Sequence, residues 1–175
     1  MSNYQSTIKK NENQCGFTFI ELILYIALVA IILSALVPFA WNTVQTGVKS
    51  AVQQEVNANA RYISERIKYE IRNATGINSV TAASISLSTA IPATNPTVID
   101  LSGGNVRVTQ GAGSPENLNS ANTVINSLTF TNYTSGDNKT KHIQFVMTVA
   151  ASFAAARQEY QDSVVVESSA ELRSN

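Results

Sequence analysis

One cysteine, Cys15, among 175 residues leaves the chain no internal disulfide framework. With only one histidine beside it, a zinc site built entirely from protein ligands is also excluded. There is no excess charge of either sign: 12 basic and 12 acidic side chains cancel. A nucleic-acid binder relying on a basic field should be clearly cationic. A disordered chain should be poor in apolar residues or strongly charged, and 44% of this one is hydrophobic. The catalytic signatures G-x-S-x-G, the P-loop and paired histidines do not occur. The length suits one domain with a modest core.

Charge is absent locally rather than globally. Residues 22–48 are 27 positions without Asp, Glu, Lys, Arg or His. From Leu22 to Trp41 they are almost continuously apolar. About 20 such residues in a helix cross a hydrocarbon layer of about 30 Å. Trp41 stands at the far end, where an interfacial aromatic is expected. Residues 49–72 are the opposite, with eight charged side chains in 24 positions. Val52, Val56, Ala60, Ile63, Ile67, Ile71 and Ala74 recur at three- and four-residue spacings, the mark of an amphipathic helix. Arg61–Glu65 and Arg66–Glu70 are placed for pairing on its outer face. One helix from about Phe17 to Ala74 is expected, bent at Pro38 and ended by Gly76 in a left-handed conformation.

Beyond it the composition changes again: 28 of residues 73–135 are Ser, Thr or Asn. Short alternating runs at 84–89, 97–101, 106–109, 124–131, 142–149 and 163–167 predict strands. Ser102-Gly103-Gly104-Asn105 predicts a hairpin turn. The expected fold class is α+β, with a long N-terminal helix packed on an antiparallel β-sheet head. In that head His142 reads as a half-exposed strand residue, with Ile143, Phe145 and Met147 on the opposite face. The turns SGDNKT and GAGSPEN carry one acidic residue each, so any calcium site there would have to draw on loop carbonyls. Arg107, Lys139 and Lys141 are too few and too scattered for a nucleic-acid groove, so no nucleic-acid partner is expected.

The polar segment before the apolar run admits several readings. A cleaved secretory signal would need a small residue two before its cleavage site; cleavage after Ala40 puts Pro38 there. A lipoprotein cysteine should follow an apolar run, and Cys15 precedes one. A plain membrane anchor carrying a monomeric extracytoplasmic binding module explains the apolar run but leaves Glu21 incidental. A carboxylate deep in a spanning helix costs about 2.5–3.5 kcal/mol on insertion scales.

The string Gly16-Phe17-Thr18-Phe19-Ile20-Glu21, followed by the apolar helix, resembles the N-terminus of the type IV pilin and type II secretion pseudopilin superfamily. A departure is Asn13-Gln14-Cys15 before the glycine, where a basic residue is more usual. The resemblance implies a leader at 1–16, cut after Gly16 by a prepilin peptidase that also N-methylates Phe17. It implies a transmembrane and assembly helix at 17–41, an amphipathic continuation at 42–75 and a β-rich head at 76–175. Glu21 is then the assembly carboxylate, meeting the N-terminal amine of a neighbouring subunit, and Pro38 the helix kink. Implied partners are other pilins or pseudopilins, the peptidase, an inner-membrane assembly platform and membrane lipid. No catalytic residue, metal or cofactor is implied. The subunit is expected first in the inner membrane with its head outside the cytoplasm, then in a cell-surface or periplasmic filament. The charged helix 60–74, the short strands and the terminal Ser169-Ala170-Glu171-Leu172-Arg173 resemble the minor pseudopilin J-like and minor pilin W-like group.

Overall fold

A computed structural model describes residues 16–136, 140–153 and 157–173. One helix, α1, runs Phe19–Asn73. Eight strands follow: β1 Gly76–Thr81, β2 Ser84–Ser88, β3 Thr97–Ser102, β4 Asn105–Gln110, β5 Glu116–Asn117, β6 Thr123–Asn132, β7 His142–Ala151 and β8 Ser163–Glu171. Short 3-10 turns occupy Pro92–Thr94 and Gln158–Tyr160. The six runs predicted from alternation are β2, β3, β4, β6, β7 and β8. The chain divides into two compact units, the first ending at Thr43 and the second beginning at Val44.

In the second unit the inner row of α1 is the expected one: Val52, Val56, Ala60, Ile63, Ile67 and Ile71 are buried, and Ala74 just after the helix joins them. They share one core with Ile85, Leu87, Ile99, Val106, Val108, Ile143, Phe145, Met147 and Val149. The strands supply this core through strict alternation, since successive side chains point to opposite faces. Thus Ile143, Phe145 and Met147 are buried while His142, Gln144 and Val146 stay partly exposed. The His142 ring lies 6.4 Å from that of Tyr133.

The expected antiparallel β head consists of two sheets, β1-β2-β3-β4-β5 and β6-β7-β8. They meet at two backbone bonds, Phe130 N–H to Ala82 O at 3.0 Å and Ile125 N–H to Gly104 O at 2.9 Å. Gly103 and Gly104 have φ of 59° and 78°, as the predicted hairpin between β3 and β4 requires. A Cβ on Gly104 would lie 2.7 Å from a Val124 methyl, so this turn also needs glycine to seat against β6. Strand β6 shows why a simple period-2 reading was incomplete. Its register shifts between Ile125 and Ser127. That bulge flips the alternation, so Ile125, Leu128 and Phe130 all face the core.

Three local expectations need correction. The helix does not end on a left-handed Gly76, which lies in β1 opposite Ser88 and is not among the glycines of positive φ. It ends because Ala74 N–H turns to Ile71 O and Thr75 N–H leaves for Ser88 O at 2.8 Å. Glu70 is not on the outer face. It is buried, paired with Arg66 at 2.8 Å and accepting Gln110 Nε2 from the inner face of β4 at 3.3 Å. Glu65 pairs with Lys68, three residues on, at 2.6 Å in place of the expected Arg61. That hydrogen bond holds its carboxyl below the ordinary range. Its depressed value means that the small exposed contribution is present above the usual carboxylate pKa and fades as pH falls through the folded one.

Loop 118–123 is stapled to α1 by polar groups. Ser120 Oγ donates to Glu55 Oε1 at 2.8 Å, and Ser120 N–H to Asn59 Oδ1 at 2.9 Å. Asn119 accepts from Val106 N–H and donates to Thr123 O, which ties β4 to the start of β6. At another turn, Gly111 has φ of 55°, and a Cβ there would sit 2.2 Å from the Ala93 carbonyl oxygen. Gly111→Ala is therefore expected to destabilise the head by about 2–3 kcal/mol, combining left-handed strain with a backbone clash. Denaturant unfolding of the full chain in detergent reads this; an unchanged midpoint would refute the steric argument.

Candidate assembly site on the N-terminal helix

Gly16 and Phe17 precede α1 and are exposed. The helix begins at Phe19 because Thr18 caps it: Glu21 N–H donates to Thr18 Oγ1 at 3.3 Å, and Leu22 N–H to Thr18 O at 3.2 Å. Thr18-Phe19-Ile20-Glu21 has the Thr-x-x-Glu spacing of a capping box, a start signal carried by the sequence itself. Glu21 thus lies in the first turn, where the positive end of the helix dipole favours a carboxylate.

The carboxylate itself turns along the helix. Tyr25 Oη donates to Glu21 Oε1 at 3.4 Å, and the Tyr25 ring meets that of Phe17 edge-on at 6.2 Å. Phe17, Glu21 and Tyr25 are therefore gathered at one end of the span. Pro38 is not; it lies 17 residues beyond Glu21, about 25 Å along the axis. The helix is continuous through Pro38, although its ring nitrogen has no hydrogen for the Ser34 carbonyl.

From Leu22 to Val44 every side chain is exposed, and Glu21 alone at the entry is half-buried. Leu22, Ile26, Val29, Leu33, Val37 and Trp41 are each about half exposed or more. A soluble core helix would bury such residues. By length and composition this segment can cross a membrane. An apolar surface on all sides, with one carboxylate at its start, needs lipid or other helices around it.

Residues 12–37 match the family described as the prokaryotic N-terminal methylation motif. This match supports a relationship of the N-terminus to the type IV pilins and pseudopilins. The motif supports a pilin-like, membrane-anchored subunit that is processed at its N-terminus. No curated protein and no solved structure matches the chain. The long helix packed on antiparallel sheets agrees with a pilin-like layout.

The remaining candidates are ordinary. Arg107 is committed to Asp100 across β3–β4 through both Nε and Nη2, a contact that raises its pKa. Lys141 is half-buried, and Lys139 lies outside the described residues. Cys15, Lys9 and Lys10 also lie outside them. Among the described residues, no group of three His, Cys, Asp or Glu side chains gathers in metal-binding geometry.

Proposed function

We propose that the chain is a minor subunit of a type IV pilus or a type II secretion pseudopilus. It is cut after Gly16, N-methylated at Phe17 and built into a helical filament through residues 17–41. Residues 42–75 continue the helix into the head at 76–175. The observation that carries this reading is the apolar helix, exposed from Leu22 to Val44, with Glu21 at its first turn. Lipid covers that surface before assembly, and the helices of neighbouring subunits cover it afterwards. The assembly platform in the inner membrane transfers the subunit from one environment to the other.

Cleavage creates an α-ammonium group on Phe17, four residues before Glu21. Within one subunit these charges share the membrane edge. In a filament, the ammonium of an incoming subunit meets the Glu21 carboxylate of its neighbour. Two charges in a low-dielectric interior offset each other's desolvation only in good geometry. The pair therefore selects one axial register more than it adds adhesion. Pro38 leaves one backbone bond unmade, which lets the helix bend as it packs. The minor assignment rests on the resemblance of the head to the J-like and W-like group.

A photo-crosslinker at Phe19, two residues from the N-methylated position, tests the filament reading. The expected adducts join the chain to another pilin. Adducts to lipid alone would favour the membrane-anchored monomeric module. Copy number in purified filaments tests the minor assignment: a few copies each are expected, and shaft-scale abundance would overturn it.

A further inference from the structure

Between Leu22 and Thr43 the helix carries three hydroxyl side chains, Tyr25, Ser34 and Thr43. Two of them are spent on the helix itself. Ser34 Oγ donates to Ile31 O at 2.7 Å, and Thr43 Oγ1 to Phe39 O at 2.9 Å. Such back-bonding is the usual fate of a short hydroxyl side chain in a helix. A tyrosine cannot do this, because its hydroxyl stands at the end of a rigid ring. The Tyr25 hydroxyl goes instead to the one carboxylate of the segment, Glu21, at 3.4 Å.

Spacing explains the meeting. Residues four apart lie one above the other on a helix, and side chains lean toward the N-terminus. Tyr25 therefore reaches back over Glu21, and its ring edge reaches Phe17. The N-terminal residue, the carboxylate and the phenol form one stripe. At 3.4 Å the bond is longer than the roughly 2.7 Å of a good O–H···O contact. It orients the carboxylate without holding it tightly. An ammonium donor makes a shorter, charge-assisted bond, and the two oxygens of a carboxylate accept from both donors at once.

We propose that Tyr25 is a positioning residue for Glu21. In the membrane-resident subunit its hydroxyl supplies the donor that a carboxylate needs in hydrocarbon. The same contact aims the carboxylate along the stripe that carries Phe17. On assembly the α-ammonium group of the neighbouring subunit takes the other oxygen of Glu21, while the Tyr25 hydroxyl keeps Oε1 and with it the direction of the carboxylate. No covalent bond is made or broken; one charge-assisted hydrogen bond is added. The inference rests on the filament reading for its second half only, since the Tyr25–Glu21 contact exists within one chain.

The test has a spectroscopic and a functional arm. The full-length chain, labelled at the phenol carbon of Tyr25, is reconstituted in phosphatidylethanolamine–phosphatidylglycerol vesicles for solid-state NMR. Glu21→Val is expected to shift that resonance, and Ser34→Ala to leave it in place. In cells, Tyr25→Phe keeps the ring against Phe17 and removes only the hydroxyl. Membrane level and N-methylation should be unchanged, and incorporation into filaments should fall about 2- to 10-fold, the worth of one hydrogen bond. In a Glu21→Gln background that partially assembles, the amide keeps an acceptor but the charge is gone. There Tyr25→Phe should cost clearly less than in the wild type, which a purely structural role of the ring would not produce. An unshifted resonance, or wild-type incorporation of Tyr25→Phe, overturns the proposal. A wild-type chain that never enters a filament yet shows the shift overturns the filament reading and supports the hold on Glu21. A chain that assembles without the shift does the reverse.

Discussion

Glu21→Val should lower incorporation into filaments by more than about 30-fold at equal expression. The reasoning is a difference between two environments. In the assembled state, removing one member of a buried charge pair strands the other, and such truncations cost about 2–5 kcal/mol. Two kcal/mol already corresponds to about 30-fold. In the membrane-resident state the same substitution removes a costly group, so insertion should be unchanged or slightly better. The helix itself loses little. The cap uses the backbone N–H of residue 21, not its side chain, and remains available to valine. What is lost is the dipole interaction of a first-turn carboxylate, about 0.3–1 kcal/mol. Quantitative blotting of sheared filaments against membrane fractions reads the effect. Wild-type yield from the valine variant would end the assembly role of Glu21 and leave it a capping-turn residue only.

The second large effect is expected at Gly16. Gly16→Val should slow cleavage on the order of 100-fold, as a substrate pocket shaped for a hydrogen rejects a branched side chain. The structure makes this a clean experiment. A Cβ on Gly16 meets nothing within 4 Å, and the residue has no positive φ, so the substitution does not disturb the fold. Any change must come from recognition by the peptidase. Intact-mass spectrometry should find the precursor, heavier by its 16-residue leader and without N-methylation. A normally shortened chain beginning at methylated Phe17 would move the processing site elsewhere. The two variants also separate from each other: Gly16→Val stops before maturation, and Glu21→Val after it.

Much of the fold could be read from local pattern. The inner row Val52–Ala74 follows from helical spacing, and each of its seven members is buried. The β3–β4 hairpin follows from Gly103-Gly104, because only that chemistry enters the turn cheaply. Other features were not legible for identifiable reasons. Strand β1 has two apolar residues separated by a bulge at Asn78, so neither periodicity shows. Strand β5 is two residues long and exists only because β4 offers an edge. Glu70 reads as a surface member of an ion pair, since spacing cannot reveal that Gln110 arrives from β4. Thr18 and Tyr25 were visible as letters. Their parts became visible only with the first-turn geometry, which places a backbone N–H on one and a carboxylate under the other.

The N-terminal chemistry belongs to the sequence alone. Gly16, Phe17, Glu21 and the uncharged stretch behind them form a contiguous string, and a helix maps such a string onto space by fixed geometry. No distant residue is needed to say that the segment suits a membrane or that Glu21 stands one turn from Phe17. The head is different. Its division into two sheets, the seating of Gly104 on β6, the staple of Ser120 on α1 and the burial of Glu70 all join residues far apart in the chain. Such contacts depend on which surfaces meet after the chain has closed its loops, and local periodicity carries no information about that choice.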